Sequence, residues 1–265
     1  MKVVLFCGGQ GMRLREYSES IPKPMVNIGY RPILWNVMKY YAHFGHKDFI
    51  LCLGYKADMI KDYFINYHEH VSNDFVFRNG GKNIELLNSD IEDWEITFVD
   101  TGISSNIGMR LLKVKEFLQD EEVFLVNYSD GLTDMNLNNM INDFKEQNNI
   151  VGSFMVYQPT QSFHVVDLGG NDNVKSISHI GSSGLWINTG YFIFNQGIFN
   201  YINYKEDLVN EPFQRLINED KLHAYKHNGF WASMDTFKDK HELDNLYSKG
   251  EPPWEVWKKN NGNRH

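Results

Sequence analysis

The chain has 265 residues, of which 42% are hydrophobic and 23% are charged, and its formal net charge at pH 7 is −8. This composition is typical of a globular protein, and the acidic balance without a basic tract argues against general nucleic-acid binding. No apolar run approaches the roughly 18 residues of a membrane helix, and the start MKVVLFCGG is too short for a secretory signal. We therefore expect a cytoplasmic protein that binds neither membranes nor nucleic acid.

The first 157 residues alternate between apolar strands and amphipathic helices. Such alternation predicts a mostly parallel sheet with helices on both faces, that is, a Rossmann-like α/β fold with a mixed sheet. The predicted strands are VVLFC, DFILCLGY, ITFVDTG, EVFLVNYSDG and IVGSFMVY, and the predicted helices cover residues 33–44, 57–67, 108–118 and 135–147.

After residue 160 the predicted strands are shorter and fewer helices separate them. No linker interrupts the pattern, so we expect one domain over residues 1–265, with a first half (1–157) and a second half (158–265) that carries a smaller C-terminal α+β elaboration. The strands predicted in the second half are HVVDLGG, NVKSISHI, WINTGYFIFN and KLHAYKHNGFW, and the predicted helices are residues 209–218 and 237–247.

Three glycines, Gly8, Gly9 and Gly11, follow the first predicted strand directly. Such a turn can present several backbone N–H groups to a phosphate chain without obstruction from side chains, and Arg13 and Lys23 can add positive charge. The spacing matches neither the G-x-G-x-x-G dinucleotide fingerprint nor the P-loop, which needs Gly-Lys-Ser/Thr. Taken alone, the glycines fit a phosphate site or a plain tight turn.

Two aspartates are candidates for a metal site. Asp130 follows an apolar strand in the sequence YSDG, which places it at the carboxyl end of the sheet, where open α/β sheets bind ligands. Asp235 lies in FWASMDT. Two carboxylates brought together can hold Mg²⁺, which prefers oxygen ligands, whereas either aspartate alone also fits a turn or helix-cap role.

Seven motifs in a fixed order carry a resemblance that is far more specific than any one of them. In this order the chain resembles the sugar-phosphate nucleotidyltransferases, or sugar-nucleotide pyrophosphorylases, from Lys2 to about Trp257, and within them the enzymes that use CTP. The motifs are GGQGMRL, IPKPMVNIGYRPILW, GYKADMIKDYF, VDTG, YSDG, INTGYFIF and FWASMDT.

The resemblance implies a role for the glycine turn and the basic residues that follow it. Gly8, Gly9, Gly11 and Arg13 match the signature that wraps the base and triphosphate of CTP. Lys23 matches the lysine that neutralises the phosphates. The first half of the chain is then the nucleotide-binding half, and Arg13, Lys23 and an aspartate form the catalytic set.

The resemblance also implies the remaining site residues. Gly108 and Arg110 match a loop that closes on the nucleotide, and Asn188 matches an asparagine that contacts the sugar. Asp130 and Asp235 match the two magnesium-binding aspartates, of which Asp130 also belongs to the catalytic set. The implied reaction transfers CMP from CTP to a phosphorylated acceptor and releases pyrophosphate.

The physical chemistry of the residues agrees with this reaction. A phosphate nucleophile is already ionised at neutral pH, so no general base is needed and the lack of an obvious Ser–His–Asp or Cys–His arrangement is no objection. The protein must instead neutralise charge at the α-phosphate and align the reactants. Backbone amides, two basic side chains and Mg²⁺ suit that task.

The acceptor side departs from the family pattern. The family carries Glu-Lys-Pro about ten residues before the asparagine, where this chain has Ser178, His179 and Ile180, and the only lysine nearby is Lys175. The acceptor can then be a sugar 1-phosphate, a polyol phosphate or a phosphorylated amide such as phosphoglutamine for capsule phosphoramidate. His179 is a candidate contact to the acceptor phosphate, with an ordinary surface histidine as the alternative.

Several further expectations follow from the resemblance. The product would activate a building block for a bacterial capsule or O-antigen polysaccharide, and the chain would form a homo-oligomer in which the C-terminal segment PPWEVW packs against a neighbouring copy. Use of UTP or dTTP in place of CTP is an alternative. A catalytically silent nucleotide sensor with the same fold is another.

Overall fold

The computed structural model describes residues 1–9, 11, 20–160 and 162–259. Its strands are β1 (Val3–Phe6), β2 (Asn27–Ile28), β3 (Arg31–Pro32), β4 (Asp48–Leu53), β5 (Phe75–Arg78), β6 (Asn83–Leu86), β7 (Glu95–Asp100), β8 (Val123–Asn127), β9 (Gly131–Thr133), β10 (Gly152–Tyr157), β11 (His164–Leu168), β12 (Val174–His179), β13 (Ile187–Asn195), β14 (Leu222–His227) and β15 (Trp231–Ser233). The α-helices are α1 (Ile33–His43), α2 (Ala57–Ile65), α3 (Ile107–Lys113), α4 (Leu137–Glu146), α5 (Glu211–Asn218), α6 (Phe237–Ser248) and α7 (Val256–Lys259).

A seven-stranded sheet in the order β14-β10-β13-β8-β1-β4-β7 forms the centre of the molecule. Strands β8, β1, β4 and β7 are parallel neighbours, and β10 and β14 are parallel to each other. Only β13 runs antiparallel to both of its neighbours, β8 and β10. The mostly parallel mixed sheet predicted from the sequence is therefore confirmed.

The first strand shows why the sheet reads as apolar in sequence. Val3 and Leu5 face one buried cluster, which includes most of α1, while Val4 and Phe6 face a second cluster, which includes Leu111 of α3. Because helices cover both faces of the sheet, every residue of β1 is buried, and its sequence is continuously apolar without alternating polar residues. The layers are thus helix, sheet and helix.

Two projecting hairpins lie outside the central sheet. Strands β5 and β6 pair with Phe75 opposite Leu86 and Phe77 opposite Ile84, and all four side chains are exposed. The sequence analysis assigned no structure to this hairpin. The second hairpin joins β11 to β12. The sequence predicted both of these strands but not their separation from the sheet.

The expectation of shorter strands in the second half is wrong for β13. This strand spans nine residues, and six of them are buried. It needs this length because it pairs with β8 along one edge and with β10 along the other.

The expectation that PPWEVW packs against a neighbouring copy is wrong for its central tryptophan. Trp254 is 1% exposed and lies in the same buried cluster as α1. Its indole Nε1 donates a hydrogen bond to Oδ1 of Asn36 at 3.3 Å, and its ring packs on Phe230. The aromatic character of this segment therefore serves the core of its own chain.

Within the described ranges, no helix has both the length and the apolar character required to cross a bilayer.

His46 gives the fold a measurable dependence on pH. Both ring nitrogens are buried and have no hydrogen-bond partner within the described part of the chain. Burial lowers the pKa of His46 from 6.5 to about 4, and the positive charges of the amino terminus and Lys145 act in the same direction. Because the unfolded chain binds a proton that the folded chain resists, the free energy of unfolding falls as the pH drops below 6.5.

The free energy of unfolding of the wild type should fall between neutral pH and about pH 5. We expect this fall to be about 1 kcal/mol smaller in His46→Leu, after allowance for the partial exposure of the ring. Urea unfolding at both pH values measures this difference. The exposed His241 provides the control, since His241→Leu should leave the pH dependence unchanged. Equal pH dependence in the wild type and His46→Leu would contradict the assignment.

Candidate active site

A cavity of about 700 Å³ opens at the carboxyl ends of β1, β7 and β8. Its volume is in the range of small-molecule sites. Seven of the residues predicted from the sequence line this cavity: Gly9, Gly11, Lys23, Arg110, Asp130, Asn188 and Asp235. Gly8 and Gly108 lie behind the lining, His179 lies on a projecting hairpin, and Arg13 lies outside the described residues.

The glycine turn is constrained by close packing at its first position. A Cβ atom at Gly8 would lie 2.0 Å from Nη1 of Arg110, whereas a Cβ at Gly9 would meet nothing within 4 Å. Gly11 has a φ of +60°, in the left-handed region that favours glycine. The three glycines therefore have separate causes: close packing, exposure towards the cavity and backbone conformation.

Arg110 supports this turn from below. Its side chain is 4% exposed, and Nη2 donates to the carbonyl of Gly8 at 2.9 Å. Nη1 donates to the carbonyl of Leu53 at 3.0 Å and to the hydroxyl of Thr101 at 2.6 Å. Burial lowers the pKa of the guanidinium. One buried cation thus ties the ends of β1, β4 and β7 together beneath the cavity.

Gly108 has a packing role on the far side of the same helix. A Cβ at Gly108 would come within 2.4 Å of the carbonyl oxygen of Glu206. The segment 205–208 therefore lies directly against the start of α3. Nucleotide contact by Gly108 and Arg110 remains a prediction from the resemblance.

Asp130 is presented by a tight turn between β8 and β9. Ser129 occupies the left-handed region with a φ of 65°, and its N–H donates to Oδ1 of Asn127 at 2.7 Å. The Ser129 hydroxyl donates to the carbonyl of Phe6 at 2.8 Å, at the end of the neighbouring strand. A non-glycine residue in this conformation is strained, and these hydrogen bonds hold it there.

Asp235 reaches the same place through a short two-stranded ribbon and a helix cap. Strand β15 pairs with β9 so that Ser233 lies opposite Gly131, which brings the residues after Ser233 beside Asp130. Thr236 and Asp239 form a capping box at the start of α6, and Asp239 also accepts from the N–H of Asp235 at 3.0 Å. The cap fixes the backbone at this position.

The ammonium group of Lys23 lies between the two aspartates. Its Nζ is 2.6 Å from Oδ2 of Asp130 and 2.8 Å from Oδ1 of Asp235. Burial opposes the charged form of Lys23, but the two carboxylates outweigh it and raise its pKa. Lys23 begins a 3₁₀ turn with Pro22 before it and Pro24 after it, so little of its backbone freedom remains.

The pair of aspartates suits a hard divalent cation. Two carboxylate oxygens contact one nitrogen atom, so they lie close enough to share a small cation, and carboxylates are the ligands that Mg²⁺ prefers. No cluster of three or more histidine, cysteine or acidic ligands occurs within residues 1–9, 11, 20–160 and 162–259. Water and substrate oxygens would therefore complete the coordination shell.

A second group of side chains lines the cavity near the start of β13. Nδ2 of Asn188 donates to the hydroxyl of Tyr128 at 3.3 Å, and its Oδ1 accepts from the N–H of Gly190 at 2.9 Å. Burial raises the pKa of Tyr128. Trp231 also lines the cavity. The structure thus brings Asn188 into one cavity with Lys23 and the aspartates.

His179 does not line the cavity. It ends β12 on a hairpin, opposite His164, and its Nδ1 accepts from the N–H of Gly181 at 3.1 Å. A contact between His179 and an acceptor phosphate is untested.

Among the polar residues that line the cavity and that the sequence analysis did not single out are Tyr128 and Asp207. Tyr128 is the first residue of the motif YSDG, in which the sequence points only to Asp130. Asp207 lies in the segment YKEDLV, which has no motif that distinguishes one acid from another. Only the folded structure, in which its segment packs against α3, shows that Asp207 lines the cavity.

Comparisons with known proteins show the family of this chain. The family model described as nucleotidyl transferase matches residues 2–249. Glucose-1-phosphate cytidylyltransferase of Salmonella typhimurium is 39% identical over 258 residues, which cover 97% of this chain and 100% of that protein. A Bacillus subtilis protein named "probable glucose-1-phosphate cytidylyltransferase" is 34% identical over 259 residues, with 97% and 100% covered.

A solved structure supports the fold independently. HddC from Yersinia pseudotuberculosis superposes with a TM-score of 0.67 at 20% identity, over 93% of this chain and 99% of that chain. A Rossmann-like sheet with a cavity at the carboxyl ends of its strands is the architecture of a ligand-binding α/β protein. The chain belongs to the nucleotidyl transferase family, and it is a nucleotidyltransferase.

We expect Gly8→Ala to lower the free energy of unfolding by about 2 kcal/mol or more, because its Cβ overlaps the buried guanidinium of Arg110. Gly9→Ala is the matched control, and its stability should stay within about 0.5 kcal/mol of the wild type. Chemical denaturation of both variants measures the difference. Equal stability of the two variants would show that Arg110 does not pack against this turn.

We expect Lys23→Met to lower stability by about 1–3 kcal/mol in EDTA, because two adjacent carboxylates lose a shared cation. Millimolar Mg²⁺ should restore part of this loss, which thermal unfolding with and without the metal detects. Lys238→Met, at an exposed lysine, is the control. If Mg²⁺ leaves the Lys23→Met melting temperature unchanged, the two aspartates do not form a divalent-metal site.

Proposed function

We propose that this enzyme transfers CMP from CTP to a sugar 1-phosphate and releases pyrophosphate. The observation that carries the proposal is the convergence of Lys23, Asp130 and Asp235 at one point of the cavity, from three distant parts of the chain. The sequence similarity to glucose-1-phosphate cytidylyltransferase of Salmonella typhimurium, 39% identity over 97% of this chain, supports CTP and a sugar phosphate as the substrates.

The reaction is an in-line displacement at the α-phosphorus of CTP. An oxygen of the acceptor phosphate forms a new P–O bond to this phosphorus, the bond to the bridging α–β oxygen breaks, and pyrophosphate leaves with the electron pair. The acceptor phosphate is already ionised at neutral pH, so the protein need not remove a proton. Its task is to hold two anions together and to stabilise the transition-state charge.

Lys23 and the glycine turn are the groups of this chain that can meet the phosphates. Gly9 and Gly11 line the cavity, and neither carries a side chain of its own that would keep a triphosphate from the backbone. Lys23 keeps its positive charge because its pKa is raised, so it is charged at every physiological pH. Arg13 is proposed to add a second cation.

Asp130 and Asp235 would hold the divalent ion, which we take to be Mg²⁺. When bound, this ion would neutralise negative charge on the phosphates. The two aspartates also orient Lys23, because both accept hydrogen bonds from its ammonium group. The same carboxylates would thus serve both the metal ion and the ammonium group.

Asn188 and Tyr128 are proposed to contact the sugar of the acceptor. Asn188 lies on β13 and Tyr128 directly follows the adjacent strand β8, and the two residues share a hydrogen bond and line the cavity. The amide of Asn188 keeps a second N–H, and neutral amide and hydroxyl groups suit the hydroxyl groups of a sugar. The product would be a CDP-sugar, an activated building block for a surface polysaccharide.

One observation favours a second candidate, in which the acceptor is not glucose 1-phosphate. The stretch from Lys175 to Ile180 lacks the acid that the family carries, and residues 174–179 form β12 of the projecting β11–β12 hairpin. Loss of two charged hydrogen bonds would weaken glucose 1-phosphate binding by roughly two to four powers of ten. A polyol phosphate, another sugar phosphate or phosphoglutamine would then be the better acceptor.

Pyrophosphate release from CTP, measured with a panel of phosphorylated acceptors, tests the function. We expect turnover with CTP and a sugar 1-phosphate, and a loss of about 100-fold or more in kcat for Asp130→Asn and Asp235→Asn. Asp120→Asn, at an exposed acid outside the cavity, is the control.

The outcomes separate the alternatives. Fastest turnover with glucose 1-phosphate would exclude the altered acceptor. Nucleotide binding without pyrophosphate release for any acceptor would favour the silent sensor. Faster turnover with UTP or dTTP than with CTP would assign a different nucleotide.

A further inference from the structure

Asp207 is a third carboxylate in the cavity, and its surroundings differ from those of the other two. Asp130 and Asp235 both contact Lys23, whereas Asp207 has no cation within ion-pair distance among the described residues. Its Oδ1 accepts a long hydrogen bond from the N–H of Val209 at 3.4 Å. In a cavity that receives a triphosphate, such a carboxylate is unfavourable unless the ligand offers it a donor.

The backbone on both sides of Asp207 is firmly anchored. Glu206 forms a two-point ion pair with the guanidinium of Arg215, with Nη1 at 2.9 Å from Oε2. Leu208 is fully buried in the cluster beneath the sheet. A carboxylate between two such neighbours is pre-organised, so a ligand does not bear the cost of ordering it.

The Asp207 segment packs against the start of α3, the helix whose Arg110 holds the glycine turn that is proposed to meet the triphosphate. Nδ2 of Asn106 donates to the carbonyl of Lys205 at 2.8 Å, and the N–H of Lys205 contacts Sδ of Met109 at 3.2 Å. Gly108 lacks a side chain where Glu206 approaches it. Asp207 is therefore fixed to the start of α3, whose loop lines the same cavity through residues 103–107.

The chemistry of nucleobases identifies the donor that an acid at this position would recognise. Cytosine carries an amino group at position 4, which donates hydrogen bonds, while uracil and thymine carry a carbonyl oxygen there, which only accepts. An ionised carboxylate accepts from the amino group and repels the carbonyl. We propose that Asp207 selects CTP over UTP and dTTP by accepting a hydrogen bond from the 4-amino group of cytosine.

This inference rests on the proposed function and deepens it by naming a residue that sets nucleotide specificity. The experiment compares kcat/KM for CTP and UTP, at a saturating sugar 1-phosphate, in the wild type and in Asp207→Asn. We expect kcat/KM for CTP to fall about 10- to 100-fold, as loss of one charged hydrogen bond requires. The value for UTP should stay level or rise, because an amide can donate to the 4-carbonyl, and KM for the acceptor should not change.

Asp120→Asn is the matched control, since it removes the same charge from an exposed site and should keep the wild-type CTP to UTP ratio. Thermal unfolding checks the fold of each variant. If Asp207→Asn does not fold, Asp207→Ser, which is smaller and equally neutral, is measured in the same way.

An unchanged CTP to UTP ratio in the Asp207 variant would overturn the inference. If KM for the acceptor rises instead, Asp207 contacts the sugar hydroxyl groups in the cavity that it shares with Tyr128. Wild-type protein that turns over no CTP would refute the proposed function itself. A wild type that prefers CTP, together with a variant of equal preference, would refute only the role of Asp207.

Discussion

The shared ion pair of Lys23 with Asp130 and Asp235 is the contact on which the site depends, since it joins three segments that are far apart in the chain. Each partner is delivered by a different local device: two prolines around Lys23, a strained serine turn before Asp130, and a helix cap after Asp235. None of these devices alone produces a site. Their convergence brings opposite charges together in the cavity, which suits the proposed reaction because that reaction needs charge neutralisation and not a general base.

Short-range patterns predicted the central sheet and most helices because both faces of that sheet are covered and its strands read as apolar runs. The same reasoning failed for β5 and β6, which are only four residues long and whose apolar side chains are exposed outside the central sheet. It also failed for Trp254, because burial against α1 depends on contacts with residues more than 200 positions away, such as Asn36. Sequence shows which residues are apolar, but not which surface will cover them.

The candidate site divides along the same line. Gly9, Lys23 and Asp130 could be predicted because each stands in a recognisable motif, and Gly9 and Asp130 also follow a strand end. The support that Arg110 gives to Gly8 could not, since it requires the ends of three strands to be aligned in space. Asp207 could not be singled out from sequence at all, because its place in the cavity depends on the close approach of its segment to α3 at Gly108.

Strand β13, which runs antiparallel to both of its neighbours in the central sheet, determines how the polypeptide can be divided. In the sheet, β10 pairs only with β13 and β14, both of which follow residue 157, while β8 pairs with β13 on one side. A fragment that stops after β10 would keep a strand with no partner and expose the edge of β8. The two halves are therefore interlocked pieces of one sheet, and gene-splitting or domain-exchange designs that cut between them would separate strands that stabilise each other.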